Sequence, residues 1–183
     1  DDMSVGVALL LCDNIGEARV LASELDALNQ TRKEIEQGMQ AEALTLCEKL
    51  ERSGDNLPGG LAMYHPEWHQ GVVGILASRI KERFHRPVIA FAPAGDGTLK
   101  GSGRSIQGLH MRDALERLDT LHPNLMIKFG GHAMAAGLSL EEAKFDEFQR
   151  LFGELVTEWI DPSLLQGEVV SDGELSPAEM TME

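Results

Sequence analysis

Gly130-Gly131-His132-Ala133-Met134-Ala135-Ala136-Gly137 sets a single imidazole in a run of glycines and alanines. Such a stretch lets the backbone come close to another molecule while His132 is left to do chemistry. On spacing alone it reads equally as a ligand-contact loop and as a tight turn between Ile127-Lys128-Phe129 and Leu138-Ser139-Leu140, with small residues only so that a helix can pack. His132 has three chemistries open to it: ligating a metal, shuttling a proton, or hydrogen-bonding a phosphate oxygen. No second histidine or carboxylate stands near it at ligand spacing, which disfavours the metal role.

Arg104 and Ser105 follow Gly101 and Gly103 at the end of an expected strand. The glycines permit close backbone approach, and the guanidinium can grip a phosphate through two parallel hydrogen bonds, which lysine does not copy. The competing reading pairs Arg104 with a local carboxylate such as Asp113. His65 and His69 flank Trp68 just before Gly71-Val72-Val73-Gly74, where a helix is expected to begin. Free N–H groups at a helix start attract anions, and a tryptophan can stack on an unpaired base. For Trp68 the preferred reading is a buried anchor for the loop. Arg79 on the same helix either reaches a nucleic acid or closes an ion pair with Glu82 or Glu67. Lys81, Arg83 and Arg86 read as a solvated face with some non-specific attraction for phosphate, and His85, His110 and His122 as structural.

A formal charge of −14 argues against a nucleic-acid partner, because phosphate binding needs positive charge to displace counterions. Its distribution changes that conclusion. Residues 60–135 carry nine Lys or Arg against six Asp or Glu; residues 1–59 carry five against twelve, and residues 136–183 two against twelve. All six histidines also lie in the middle block. Only the block that holds the motifs can attract a polyanion, and the acidic flanks read as solvated faces.

With 183 residues and 43% hydrophobic content, the expectation is one compact domain with extensions. Cys12 and Cys47 stand alone, without CxxC or metal-ligand spacing, and fit buried thiols of a reducing cytosol. No apolar run is long enough to cross a bilayer, and no basic signal-peptide region opens the chain, so a cytoplasmic protein is expected. A start at Asp1-Asp2 and an end inside a Pro-Ala-Glu-Met helix signal suggest a piece of a longer protein.

The elements that must position these residues are legible in outline. Val5 to Cys12 is an apolar run consistent with a buried helix segment or a strand. Asp13-Asn14 offers an N-cap, and from about Gly16 to Arg52 Ala18, Leu21, Leu25, Leu28, Ile35, Met39, Ala43, Leu46 and Leu50 recur at three- and four-residue steps. A helix of that length would run about 54 Å at about 1.5 Å per residue, so it reads as a spacer joining two lobes. Its apolar positions hold no sustained heptad, which disfavours a coiled coil. Ser53 to Gly60 is a cluster of turn formers and marks a boundary. Strands are then expected at Leu61–His65, Val88–Ala92 (buried on both faces), Thr98–Ser105, Leu125–Phe129 and Leu138–Leu140, and helices at Val72–Phe84, Met111–Leu118 and Ala143–Trp159. The fold class is α/β, a mixed sheet with packed helices preceded by a long connecting helix. Beyond Asp161-Pro162 the chain turns acidic, and Val169 to Gly173 reads as a strand entering a further module.

GGHAMAAG resembles the GGHxxAAG signature of the DHH-associated domain, the second half of the DHH phosphoesterase superfamily. His65 to Arg79 and Gly101-Ser102-Gly103-Arg104-Ser105-Ile106 resemble the companion motifs of its RecJ-type nucleases, which degrade single-stranded DNA from the 5′ end. Together the motifs cover roughly residues 57 to 160, and the DHH half, with its aspartate and histidine manganese ligands, is missing. The resemblance implies three parts: residues 1–56 as the end of the DHH lobe and the connecting helix, 57–160 as the nucleic-acid-binding domain, and 161–183 as a linker and the start of a following domain.

It further implies that His132 stands by the scissile phosphate and stabilises negative charge in the transition state, while the missing half supplies hydroxide on Mn²⁺ or Mg²⁺. Arg104 and Ser105 match the family's Gly-x-x-Arg-Ser substrate grip, His69 its His-x-Gly-Val-Val-Gly pattern, and Gly130, Gly131 and Arg79 complete the DNA-contact set. No metal is expected in this chain itself. Single-stranded DNA is the implied partner, with single-strand-binding protein as a second and no membrane, in the setting of DNA repair and recombination. Expected of the chain alone are weak, salt-sensitive binding and no turnover. Two other readings stay open: a non-catalytic module for single strands or a partner protein, and part of an oligonucleotide or cyclic-dinucleotide phosphodiesterase. The long helix and the chain after Trp159 favour the RecJ type over the smaller enzymes.

Overall fold

Val88-Ile89-Ala90-Phe91-Ala92 is apolar without a break because its strand is covered on both faces. A computed structural model describes residues 3–52 and 57–166 of the chain. In it a five-stranded sheet runs in the order β1-β2-β3-β5-β4, with β1 (Leu61–Tyr64) parallel to β2 (Val88–Gly95) and the others, β3 (Thr98–Arg104), β4 (Lys128–Gly131) and β5 (Ala135–Glu141), antiparallel. Ile89 and Phe91 point into one core with helices α4 (Met111–Leu121) and α5 (Phe145–Trp159). Val88, Ala90 and Ala92 point into a second core with α3 (Val73–Phe84). The mixed α/β sheet with packed helices agrees with the expectation.

Each helix presents one apolar stripe. On α3 it is Val73, Leu76, Ala77 and Ile80; on α4 Met111, Ala114, Leu115 and Leu118; on α5 Phe148, Leu151, Phe152, Leu155 and Val156. This i, i+3, i+4, i+7 spacing buries one side and solvates the other. His110 caps α4, its Nδ1 accepting the Asp113 N–H at 3.3 Å, and His85 ends α3 in the left-handed region at φ 49°.

The N-terminal part is helical too. α1 (Ser4–Leu10) lies against α2 (Ile15–Arg52), and Asn14 Oδ1 caps α2 by accepting from Gly16 N at 2.8 Å. At 38 residues α2 is about 57 Å long, taking about 1.5 Å per residue. Its last turns, through Met39, Ala43 and Cys47, enter the second core; Val20 is 67% and Leu28 54% exposed. The long helix therefore stands out from the sheet domain. The apolar run from Val5 is helical as far as Leu10 with no residue fully buried, a correction to the expected buried segment, and Cys12 beyond it is only half-buried.

Two strand boundaries also shift. β4 begins at Lys128 rather than Leu125 and runs through Gly130-Gly131, while β5 begins at Ala135 rather than Leu138. Pairing with β5 holds the two glycines in a strand that their own propensity disfavours, and Leu125 and Met126 enter the core from a loop. Residues 53–56 of the expected turn cluster and the expected strand at 169–173 lie outside the described residues. Among the described residues no helix is long and apolar enough to cross a membrane.

Candidate nucleic-acid interface

Strand alternation divides β3 between two environments. Leu99, Gly101 and Gly103 face the α4–α5 core, whereas Lys100, Ser102 and Arg104 face the other way. This corrects the role expected of the glycines. An added Cβ on Gly101 would lie 2.5 Å from Phe91 Cε1 and 2.9 Å from Leu138 Cδ2, and one on Gly103 would meet Ile89 and Met111. They admit core side chains to the sheet rather than a ligand.

The glycines on the outward face belong to the other two strands. Gly130 has open space where its Cβ would be, and the nearest atom to one on Gly137 is 3.9 Å away. Because α3 packs on β2 and β3 and the end of α2 lies against β1, the β5–β4 half of this face carries no helix among the described residues. Register sets its rows: Arg104 opposite Ala135, then Ser102 opposite Gly137 opposite Gly130, then Lys100 opposite Ser139 opposite Lys128. His132 closes the first row, its N–H donating to Ala135 O at 2.8 Å. Arg104, half-buried at the end of β3, and His132, exposed just past β4, thus both have Ala135 as their backbone neighbour on β5.

The tip of the β4–β5 hairpin is tied down from behind. Ala133 O accepts from Met111 N at 2.8 Å and Met134 O from Ser105 N at 2.9 Å. Gly131 has φ 148°, and a Cβ there would be 2.4 Å from Ala136 Cα, so only glycine makes this corner. The motif is thus both a tight turn and a presentation of one imidazole to solvent.

Arg104 Nη1 donates to Ser102 Oγ at 3.0 Å and to Gly103 O at 2.8 Å. Among the described residues no carboxylate pairs with it; Asp113 is 3.0 Å from His110 instead. A half-buried guanidinium without a counter-ion retains donors for an anion. Ser105 differs. It is 1% exposed, and its hydroxyl donates to Leu109 O at 2.8 Å, so it anchors the bend after β3 and offers nothing to the surface.

Gly74, at the start of α3, lies against Arg104 and Ser102 and so brings that helix end beside the row. His69 is exposed in the preceding loop; its Nδ1 accepts from Gly71 N at 3.1 Å, which puts the proton of the neutral ring on Nε2. Trp68 is buried, its Nε1–H donating to Glu42 Oε2 of α2 at 2.9 Å, and His65 tilts against its ring. Arg79 is held elsewhere, 3.5 Å from Glu36 Oε1 on α2 and 3.7 Å from Glu82 Oε2. Of the two carboxylates weighed for it, Glu82 is used and Glu67 is not.

Lys100 and Lys128 are the members of this face that motif matching passed over. Both are exposed, without a carboxylate partner among the described residues. Their signal was the two-residue period of Lys100, Ser102 and Arg104. Among the described residues no three His, Cys, Asp or Glu side chains gather where a metal could be held.

A five-stranded mixed sheet with helices on both faces, and Arg104 and His132 on either side of Ala135, define the class. Residues 58–158, more than half of the chain, match the DHHA1 domain family, and the chain belongs to it. Over its full length it is 92% identical to the single-stranded-DNA-specific exonuclease RecJ of Escherichia coli (strain K12), and it spans 32%, about a third, of that relative. Crystal structures of Thermus thermophilus RecJ in complex with Mg²⁺ and with Mn²⁺ each match with a TM-score of 0.71 at 33% identity, over 87% of this chain and 23% and 22% of theirs.

Proposed function

We propose that this chain is the substrate-gripping part of a RecJ-like exonuclease that hydrolyses single-stranded DNA from 5′ to 3′. The observation that carries the reading is that Arg104 and His132 stand on either side of Ala135, beside the open floor of Gly130 and Gly137. Arg104 holds a phosphate through its spare guanidinium donors. His132 hydrogen-bonds a phosphate oxygen and stabilises the charge that develops there. The Nε2–H of His69 and the start of α3 add donors from the flank. Gly130 keeps the floor low, and Gly131 and Ser105 hold the hairpin tip and the β3 end in position. Arg79, engaged by Glu36 and Glu82, contributes charge rather than contact.

The remaining parts of the reading belong to the whole enzyme. Residues 57–160 form the nucleic-acid-binding domain, residues 1–56 connect it to the DHH lobe, and residues 161–183 lead into a following domain. Mn²⁺ or Mg²⁺ supplies the hydrolytic water, held by ligands outside this chain; the Thermus complexes with these two metals support this. Single-stranded DNA is the substrate, single-strand-binding protein the protein partner and the cytoplasm the compartment, in DNA repair and recombination. The chain by itself binds single strands weakly and cuts nothing.

The test is the His132→Ala variant of the full-length enzyme. Its kcat is expected to fall about 10²- to 10³-fold, as on loss of one transition-state donor, with a much smaller change in Kd for an oligonucleotide. A variant that keeps its rate sinks the reading.

A further inference from the structure

Two residues back along β3 from the Arg104 row lies the Ser102–Gly137–Gly130 row; two further back lies Lys100–Ser139–Lys128. At about 3.4 Å per residue the lysine row is about 14 Å from the arginine row, a span on the order of two nucleotides of an extended single strand. The row between them carries no side chain larger than serine. Lys100 on β3 and Lys128 on β4 stand on either side of β5, about 10 Å apart at a strand spacing of about 4.8 Å. The next row brings Glu141, opposite Thr98, and Glu141 is 3.4 Å from Lys144 Nζ.

We propose that Lys100 and Lys128 form a second phosphate-holding station, and that the glycine trough between the stations seats the backbone of the nucleotides that link them. The inference rests on the reading of Arg104 and His132 given above, and adds a substrate-length requirement to it. A strand long enough to reach both stations binds through two phosphate grips; a dinucleotide held at Arg104 reaches only one. Bare floor and flanking ammonium groups suit a polyanion of unspecified sequence, because the one side-chain hydrogen-bonding group in the trough is the Ser102 hydroxyl, which already accepts from Arg104.

The experiment compares the Lys100→Ala/Lys128→Ala double variant of the full-length exonuclease with the parent and with Arg104→Ala, on a 5′-phosphorylated dinucleotide and on a single-stranded 10-mer. Lys100→Arg/Lys128→Arg is the charge-retaining control. The double alanine variant is expected to lose about tenfold of the parent's preference in kcat/KM for the 10-mer over the dinucleotide. The salt dependence of 10-mer binding should flatten by about 1.4 in log–log slope, the value for two fewer phosphate contacts on a single strand. The arginine pair should restore both. An unchanged length preference or slope, with Arg104→Ala still impaired, overturns the second station and leaves the first reading intact. If Arg104→Ala is also unimpaired, the failure lies in the first reading.

Discussion

An added methyl group on Gly74 would stand 2.9 Å from Arg104 Nη2 and 3.2 Å from Ser102 Oγ. Helix α3 and strand β3 thus meet where one has no side chain and the other has its guanidinium. The clashing atom is the far end of a flexible side chain, so the fold can yield without cost to its backbone. Gly74→Ala is expected to leave thermal stability unchanged or slightly raised, since alanine exceeds glycine in helix propensity by about 1 kcal/mol. Single-strand affinity should fall, because Arg104 must leave the row. Melting and fluorescence anisotropy on the same sample separate the two effects; undiminished affinity would mean that the position of the guanidinium does not matter.

Gly101, Gly130 and Gly131 make a second comparison, since they differ in what surrounds them and, at Gly131, in backbone conformation. Gly101→Ala drives a methyl into Phe91 and Leu138, and overpacking of this kind costs about 1–3 kcal/mol. Gly131→Ala combines a positive φ with contact to the backbone of Ala136 and should be at least as damaging. Gly130→Ala meets nothing and should stay within about 0.5 kcal/mol of the parent while weakening DNA binding. Chemical denaturation of the three variants orders them; equal losses at Gly101 and Gly130 would refute the assignment of the two sheet faces.

The same glycines show where sequence and structure part. Periodicity located α3, α4 and α5 because each buries a stripe, such as Met111, Ala114, Leu115 and Leu118, that repeats with the helix. It located α2 as well, but not which third of it is covered, since Leu28 and Met39 are equally apolar and only the tertiary neighbour tells them apart. Gly101 and Gly103 invite a ligand-contact reading because a glycine in a sequence does not say on which side of a sheet its missing Cβ would lie. Register decides that, and register is set by long-range pairing with β5. Lys100 and Lys128 were illegible together for the same reason: they lie in one row only after β5 has paired with both β3 and β4.

Glu42 ties α2 to the loop before α3, accepting from Trp68 Nε1, whose residue is 3% exposed. Glu42→Ala leaves that buried N–H without its partner and should cost about 1–3 kcal/mol. Glu42→Gln keeps an acceptor and should cost less. In a Trp159→Phe background the emission of Trp68 reports the joint directly. A red shift at denaturant concentrations that leave the sheet intact is the expected sign that α2 has come away; coincident transitions would show the joint to be part of one cooperative unit.

Tyr64 is the chain's one tyrosine, so its ionisation can be followed by ultraviolet titration without interference. Burial raises its pKa, and the hydrogen bond its hydroxyl donates to Glu142 Oε1 at 2.7 Å, together with repulsion from that carboxylate, raises it further, to about 12 from 10.0. The folded value lies above the unfolded one, so the contribution to stability is whole below pH 10 and is lost as pH climbs through about 12. Above pH 10, Tyr64→Phe should therefore lose stability with rising pH less steeply than the parent. Glu142→Gln should bring the titration midpoint down without reaching the ordinary value, because burial between Phe145 and the sheet remains. A midpoint unmoved by Glu142→Gln would assign the whole shift to burial and remove the carboxylate from the account.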